Sequence, residues 1–237
     1  MVRPFAKPKT LRTAKSSKTA VRSTAVPAPP AALHVSRTTW PRAQVIHRIH
    51  LVRYDAHGFN PGRKGDGRFS PIAGSSGASI PTLYGGTTFD CAVMETVFHD
   101  VPFAPGFKSY DKRKLMGQMH SMLLPATALV LADLSNVALR KLGVPRAQLI
   151  DTEKDCYPET RKWAEAIHAW AADIQGLCWT SRQDDRALAI MLFGDRIAAK
   201  TLVPHGSSRE LLDDASACAE LLVLADRIGV SIVAGKS

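Results

Sequence analysis

The sequence predicts an α+β protein, a single domain behind a basic tail, and three observations carry that prediction. Apolar stretches of period two are interspersed with amphipathic helical patterns, without the strict alternation of a doubly wound sheet. No segment repeats, and 237 residues suffice for one large domain plus a tail. The charge is also unevenly placed. Eleven Lys and Arg residues precede Asp55, the first acidic residue, whereas the remainder holds 20 basic and 21 acidic side chains. The net charge of +10 and the pI of about 9.7 therefore belong to the leading segment. A balanced domain is a poor grip for phosphate backbones.

Residues 1–39 form the predicted tail: Lys, Arg, Ser and Ala, a Pro-rich end at Pro27-Ala28-Pro29-Pro30, and few large apolar side chains. Such a composition does not offset its own ordering entropy, so disorder is expected. The domain is predicted over 40–237. Gln44 to Tyr54 partly alternates and reads as a strand. Gly58 to Gly77, with six glycines, Pro61 and Pro71, reads as a long loop enclosing Gly67-Arg68-Phe69-Ser70-Pro71. Ile80 to Tyr84 is a short strand closed by Gly85-Gly86, after which Thr87 or Thr88 caps a helix reaching about His99.

On that helix Cys91, Met94, Val97 and Phe98 share a side. Glu95 lies about 40° from Cys91 at 100° per residue, at the border of the apolar stripe. Met122 to Leu134 gives two strands broken at Pro125. Pro158 to Ala172, with Trp163, Ile167 and Trp170 at helical spacing, is an amphipathic helix whose tryptophan stripe reads as core. Gly176 to Ser181 and Leu188 to Phe193 are further strands, and Leu211 to Ala225 contains the last helix.

Several chemistries are excluded. There is no phosphate-binding Gly-Lys-Ser/Thr loop, no Gly-x-Gly-x-x-Gly opening a helix and no His-Glu-x-x-His. Cys91, Cys156, Cys178 and Cys218 lie far apart without a Cys-x-x-Cys pair, so no metal site is expected; free thiols in a reducing cytoplasm are. His47 and His50, three apart on a strand, point to opposite faces. With 45% apolar residues and no run near the roughly 20 that span a bilayer, no membrane association is expected.

What remains is an ordered set: Arg53-Tyr54, Gly67-Arg68-Phe69-Ser70-Pro71, Leu83-Tyr84-Gly85-Gly86-Thr87-Thr88, Met94-Glu95-Thr96-Val97-Phe98-His99 and Gly176 to Arg182. From about Ile46 to Arg196 this resembles the RES domain family, named for an Arg, a Glu and a Ser. The matching residues are Arg53, Glu95 and Ser181, with Tyr54 and Tyr84 in the aromatic positions.

The resemblance implies a fold similar to the ADP-ribosyltransferases, with mixed β-sheets flanked by helices. It also implies a bacterial toxin that consumes NAD⁺ as substrate, with no further cofactor, and an Xre-like antitoxin that blocks the site. On that reading Glu95 stabilises the cationic ribose carbon and Arg53 grips the pyrophosphate, with Arg68 as a second phosphate ligand. Tyr54 and Tyr84 orient nicotinamide, and Ser181 bonds the carboxamide or ribose. Glycohydrolase, phosphorylase and ADP-ribosyltransferase share these residues and stay open. Two other readings are a nucleic-acid-binding module acting through the tail and an inactive RES-like domain kept for protein interaction; five intact site residues argue against the second.

Overall fold

Where the sequence alternates apolar and polar residues, or runs apolar for five or six positions, the computed structural model forms strands. It describes residues 25–62 and 65–235. In chain order the strands are β1 (Arg37–Trp40), β2 (Ile46–Leu51), β3 (Ile72–Ala73), β4 (Ser79–Ile80), β5 (Thr82–Gly86), β6 (Lys108–Asp111), β7 (Gln118–Pro125), β8 (Leu129–Asp133), β9 (Gly176–Thr180), β10 (Leu188–Phe193), β11 (Leu202–Pro204), β12 (Arg209–Glu210) and β13 (Val230–Val233). The helices are α1 (Phe89–Thr96), α2 (Ala138–Leu142), α3 (Arg146–Leu149), α4 (Tyr157–Trp170) and α5 (Ala215–Arg227). This is the mixed α+β domain that the sequence predicts.

Nine strands make the main sheet, in the order β1-β8-β9-β10-β5-β2-β7-β11, with β12 also on β7. All its pairs are antiparallel except β8 with β9. The longest apolar runs, β9 and β10, sit centrally and are buried on both faces, as covered strands require. Over one face α4 packs Trp163 and Ile167 near Trp179, Met191 and Phe193. Elsewhere α1 and α5 share a core of Val93, Phe98, Leu221 and Leu224.

One junction matters most. β2 pairs with β7 along its whole length, Ile46 to Leu51, but meets β5 only at His47 opposite Gly86. Beyond that single pair the two strands diverge and leave a wedge. Gly85 and Gly86, expected to end β5, instead belong to it, because only a residue without a side chain fits there. A Cβ on Gly85 would lie 2.5 Å from Ile46 Cγ2, and one on Gly86 2.6 Å from Cys91 Sγ. The close contact at Gly86 seats α1 against the sheet. Thr88 caps α1, its Oγ1 accepting from Cys91 N at 3.0 Å. The helix stops at Thr96, one turn short of the expected His99.

The predicted domain boundary moves. The first three residues of β1 lie inside the stretch assigned to the tail, Leu33 and Val35 are buried, and Trp163 Nε1 donates to Pro27 O at 2.7 Å. Prolines restrict the unfolded chain, so ordering this segment costs less entropy than its composition suggests. The disorder expected for residues 1–24 concerns positions outside the described ones. The tryptophan stripe is also only half core: Trp163 is buried, but Trp170 is 41% exposed under the Arg37 guanidinium.

Candidate active site

The wedge between β2 and β5 opens into a cavity of about 390 Å³. Residues 48 to 51 of β2 line it from both alternating faces, so the strand presents its edge to the space. Its other walls are Thr82 to Tyr84 of β5, the 65–70 loop, the end of α1, Tyr157 and Trp179. Tyr54, Gln118, His99 and Gln183 add to the lining.

Glu95 enters from the last turn of α1, half-buried, at the apolar border where the helical angle puts it. Ser181 Oγ donates to Glu95 Oε1 at 2.6 Å. The hydroxyl in turn accepts from the backbone N–H of Gln183 and of Asp184, both at 3.0 Å. With two acceptors and one donor engaged, its capacity is used. Ser181 is fully buried and does not line the cavity; its hydroxyl holds the Glu95 carboxylate. Behind it, Arg146 donates to the carbonyls of Thr180 and Ser181.

Tyr84 lines the cavity, and its hydroxyl accepts from Phe69 N at 3.0 Å, tying the 67–70 turn to β5. Burial pushes this phenol up to about 12, so it stays protonated at neutral pH. Arg68 is 7% exposed, stacks over Tyr157 at 5.2 Å, and donates to Thr152 O and Oγ1 at 3.1 and 2.8 Å.

Arg53 does not line the cavity. It lies exposed in the turn after β2, its guanidinium 5.0 Å from the ring of Tyr54, which does line it. The arginine in the wall is Arg48, five residues earlier and 6% exposed. Its Nη1 donates to Ala56 O and Gly58 O at 2.7 and 2.9 Å, while its Nε has no partner. Burial pulls this guanidinium down to about 10, which leaves it charged at neutral pH. Sequence reasoning passed over Arg48, although period two puts it beside His50 on the inward face. Among the described residues neither Arg48 nor Arg68 forms an ion pair, unlike Arg146, Arg161 and Arg182 around them.

Three buried side-chain polar atoms lack a partner among the described residues: Arg48 Nε, Thr82 Oγ1 and Trp179 Nε1. All three residues line this one cavity. Unpaired buried polar groups are costly and uncommon, so three of them in the lining residues of one cavity single it out as a candidate site.

The RES domain family model matches residues 45–214, most of the chain and every lining residue of the cavity. The chain belongs to the RES domain family. The match begins at the strand carrying Arg48 and continues past Arg196 to Asp214. This RES domain is similar in fold to a chain in the crystal structure of the M. tuberculosis MbcT-MbcA toxin-antitoxin complex. That similarity has a TM-score of 0.51 and 14% identity, and covers 73% of this chain and 86% of that one. No curated protein matches it. Among the described residues no helix is long and apolar enough to cross a membrane.

Proposed function

We propose that this RES domain cleaves the nicotinamide–ribose bond of NAD⁺. The observation that carries the reading is the pairing of charges in one cavity. Two buried guanidiniums, Arg48 and Arg68, form no ion pair among the described residues, and they face the same space as a carboxylate held by a serine, Glu95, which Arg68 feels beyond ion-pair distance. A buried cation without a counter-ion is unfavourable until an anion arrives, and a diphosphate offers bidentate oxygens to two such groups.

Loss of nicotinamide leaves a ribose carbon with oxocarbenium character, and the leaving group departs as a neutral base that needs no acid. Glu95, fixed by the Ser181 hydroxyl, supplies negative charge to that carbon and accepts from the ribose hydroxyls. Preorganised charge of this kind is worth roughly 3–4 kcal/mol per group. Tyr84 and Tyr157 give aromatic walls. The role expected of Arg53 passes to Arg48, and the contact expected from Ser181 becomes the anchoring of Glu95.

Water, phosphate and a protein side chain all suit the second half of the reaction. Glycohydrolase, phosphorylase and ADP-ribosyltransferase therefore share the proposed first step. Family membership, and a fold shared with a chain of a toxin–antitoxin complex, support a toxin role with a protein antitoxin as partner; the Xre-like kind is the family's. Purified protein incubated with NAD⁺ should release free nicotinamide on chromatography, with at least one of the three acceptors present. No release with any of them overturns the reading.

A further inference from the structure

Resting on the NAD⁺ reading above, we infer that the indole N–H of Trp179 is the donor that recognises the carboxamide oxygen of the leaving nicotinamide. Trp179 is 1% exposed, lines the cavity, and its Nε1 has no hydrogen-bond partner. The other two buried indoles are satisfied: Trp40 Nε1 donates to Gln44 O at 3.1 Å and Trp163 Nε1 to Pro27 O at 2.7 Å. An indole has one donor and no acceptor, and no described residue supplies Trp179 with an acceptor, which leaves that place to a ligand.

Its place on β9 sets which part of the ligand that is. Ser181 directly follows the last residue of β9, two positions past Trp179, and it holds Glu95. Trp179 therefore stands at the carboxylate end, where the glycosidic bond breaks. Its neighbours are aromatic, with Phe69 at 5.2 Å and Tyr84 at 6.3 Å, both edge-on. An aromatic neighbourhood with a neutral donor suits a heteroaromatic ring carrying a neutral carbonyl, whereas a phosphate is served by Arg48 and Arg68.

Two nearby donor groups are already engaged, and the Thr82 hydroxyl, also unpartnered, stands on β5. The Ser181 proton goes to Glu95, and the Gln183 amide donates to His99 O at 3.1 Å. Trp179 is thus a specificity-determining residue, fixing ring orientation through an atom that takes no part in the bond cleavage. In the sequence it hides in the apolar run Leu177-Cys178-Trp179 and reads as core.

The test is a cycle between enzyme and substrate. Wild type and Trp179→Phe are each assayed with NAD⁺ and with its analogue carrying an unsubstituted pyridinium. An unmade buried hydrogen bond should lower kcat/KM for NAD⁺ about tenfold or more in Trp179→Phe, leaving the analogue within about twofold. Equal losses on both substrates, or no loss on NAD⁺, overturn the inference while leaving the cleavage reading intact. A wild type inert toward NAD⁺ overturns both.

A second measurement does not depend on Trp179→Phe folding. In a ¹⁵N-indole spectrum of the wild-type chain, with Trp40, Trp163 and Trp170 assigned through their own Phe variants, saturating nicotinamide should shift the remaining signal. A Trp179 signal that stays fixed while nicotinamide binds overturns the inference.

Discussion

Arg48 and Arg53 separate two kinds of arginine. An exposed guanidinium over a neighbouring tyrosine ring contributes little, because water screens it. A buried guanidinium with an unpaired Nε gains its missing interactions only from a ligand. Arg48→Met is therefore expected to weaken NAD⁺ binding at least tenfold by calorimetry, and Arg53→Ala to change it much less. The reverse order would return the diphosphate to the turn. Ser181 makes a different prediction. Ser181→Ala removes the proton that holds Glu95 and strands two backbone N–H groups. It should cost about 1–3 kcal/mol of stability in urea denaturation and lower kcat more than it changes KM. A variant of wild-type stability and unchanged kcat would sink that role. At this scale the sequence was informative where a residue type is scarce in its surroundings. Glu95 stood out against an apolar helix face, and Arg68 in a glycine-rich loop. Arg48 and Trp179 were hidden because an inward arginine in a strand and a tryptophan in an apolar run look structural until their partners are counted.

The same accounting applies to the elements that support the wedge. On the face of β2 away from Arg48, His47 Nδ1 lies 3.0 Å from His120 Nε2 on β7. Arg209 Nη2 lies 2.9 Å from His120 Nδ1, and an arginine only donates. His120 must then accept at Nδ1 and donate from Nε2 to His47, so both rings are neutral. Burial first, and then the neighbouring His47, Arg209 and His50, hold His120 down to about 3, and burial also lowers His47. An unfolded imidazole takes up its proton near 6.5. Between there and about 3 the unfolded chain binds more protons, so stability falls as pH falls, by about 1.4 kcal/mol per pH unit for His120. Above that range this group adds nothing further. Denaturation midpoints at pH 7 and pH 5 should show the loss, with a smaller slope in His120→Gln; equal slopes would contradict the neutral pair. The opposite-face placement of His47 and His50 was legible from period two. The partner on β7 was not, because register between distant strands leaves no local mark.

For the whole molecule, the boundary of the domain is itself a physical claim. Long amphipathic and apolar segments, α4, α5, β7 to β10, could be read from periodicity. The short strands β6, β11, β12 and β13 could not, since two to four residues carry no period and their pairing is set by the rest of the fold. Residues 25–39 were misread because composition undercounts what two apolar side chains and a strand ladder contribute. A chain beginning at Trp40 loses buried Leu33 and Val35 and three of the four residue pairs between β1 and β8. It should be less stable than one beginning at Ala25 by about 3 kcal/mol or more, read from denaturant midpoints. Equal midpoints would restore the boundary at residue 40.

The cavity ties these scales together, since the single pairing of β2 with β5 makes the space in which Arg48, Arg68, Trp179 and Glu95 meet. Glu95→Gln, which keeps the shape of the side chain and removes its charge, tests that convergence most directly. Mixed with NAD⁺ and followed by ¹H and ³¹P NMR, it should bind the dinucleotide and leave it intact, while the wild-type chain releases nicotinamide at least about a hundredfold faster. Release by Glu95→Gln at the wild-type rate would contradict a carboxylate acting on the ribose carbon.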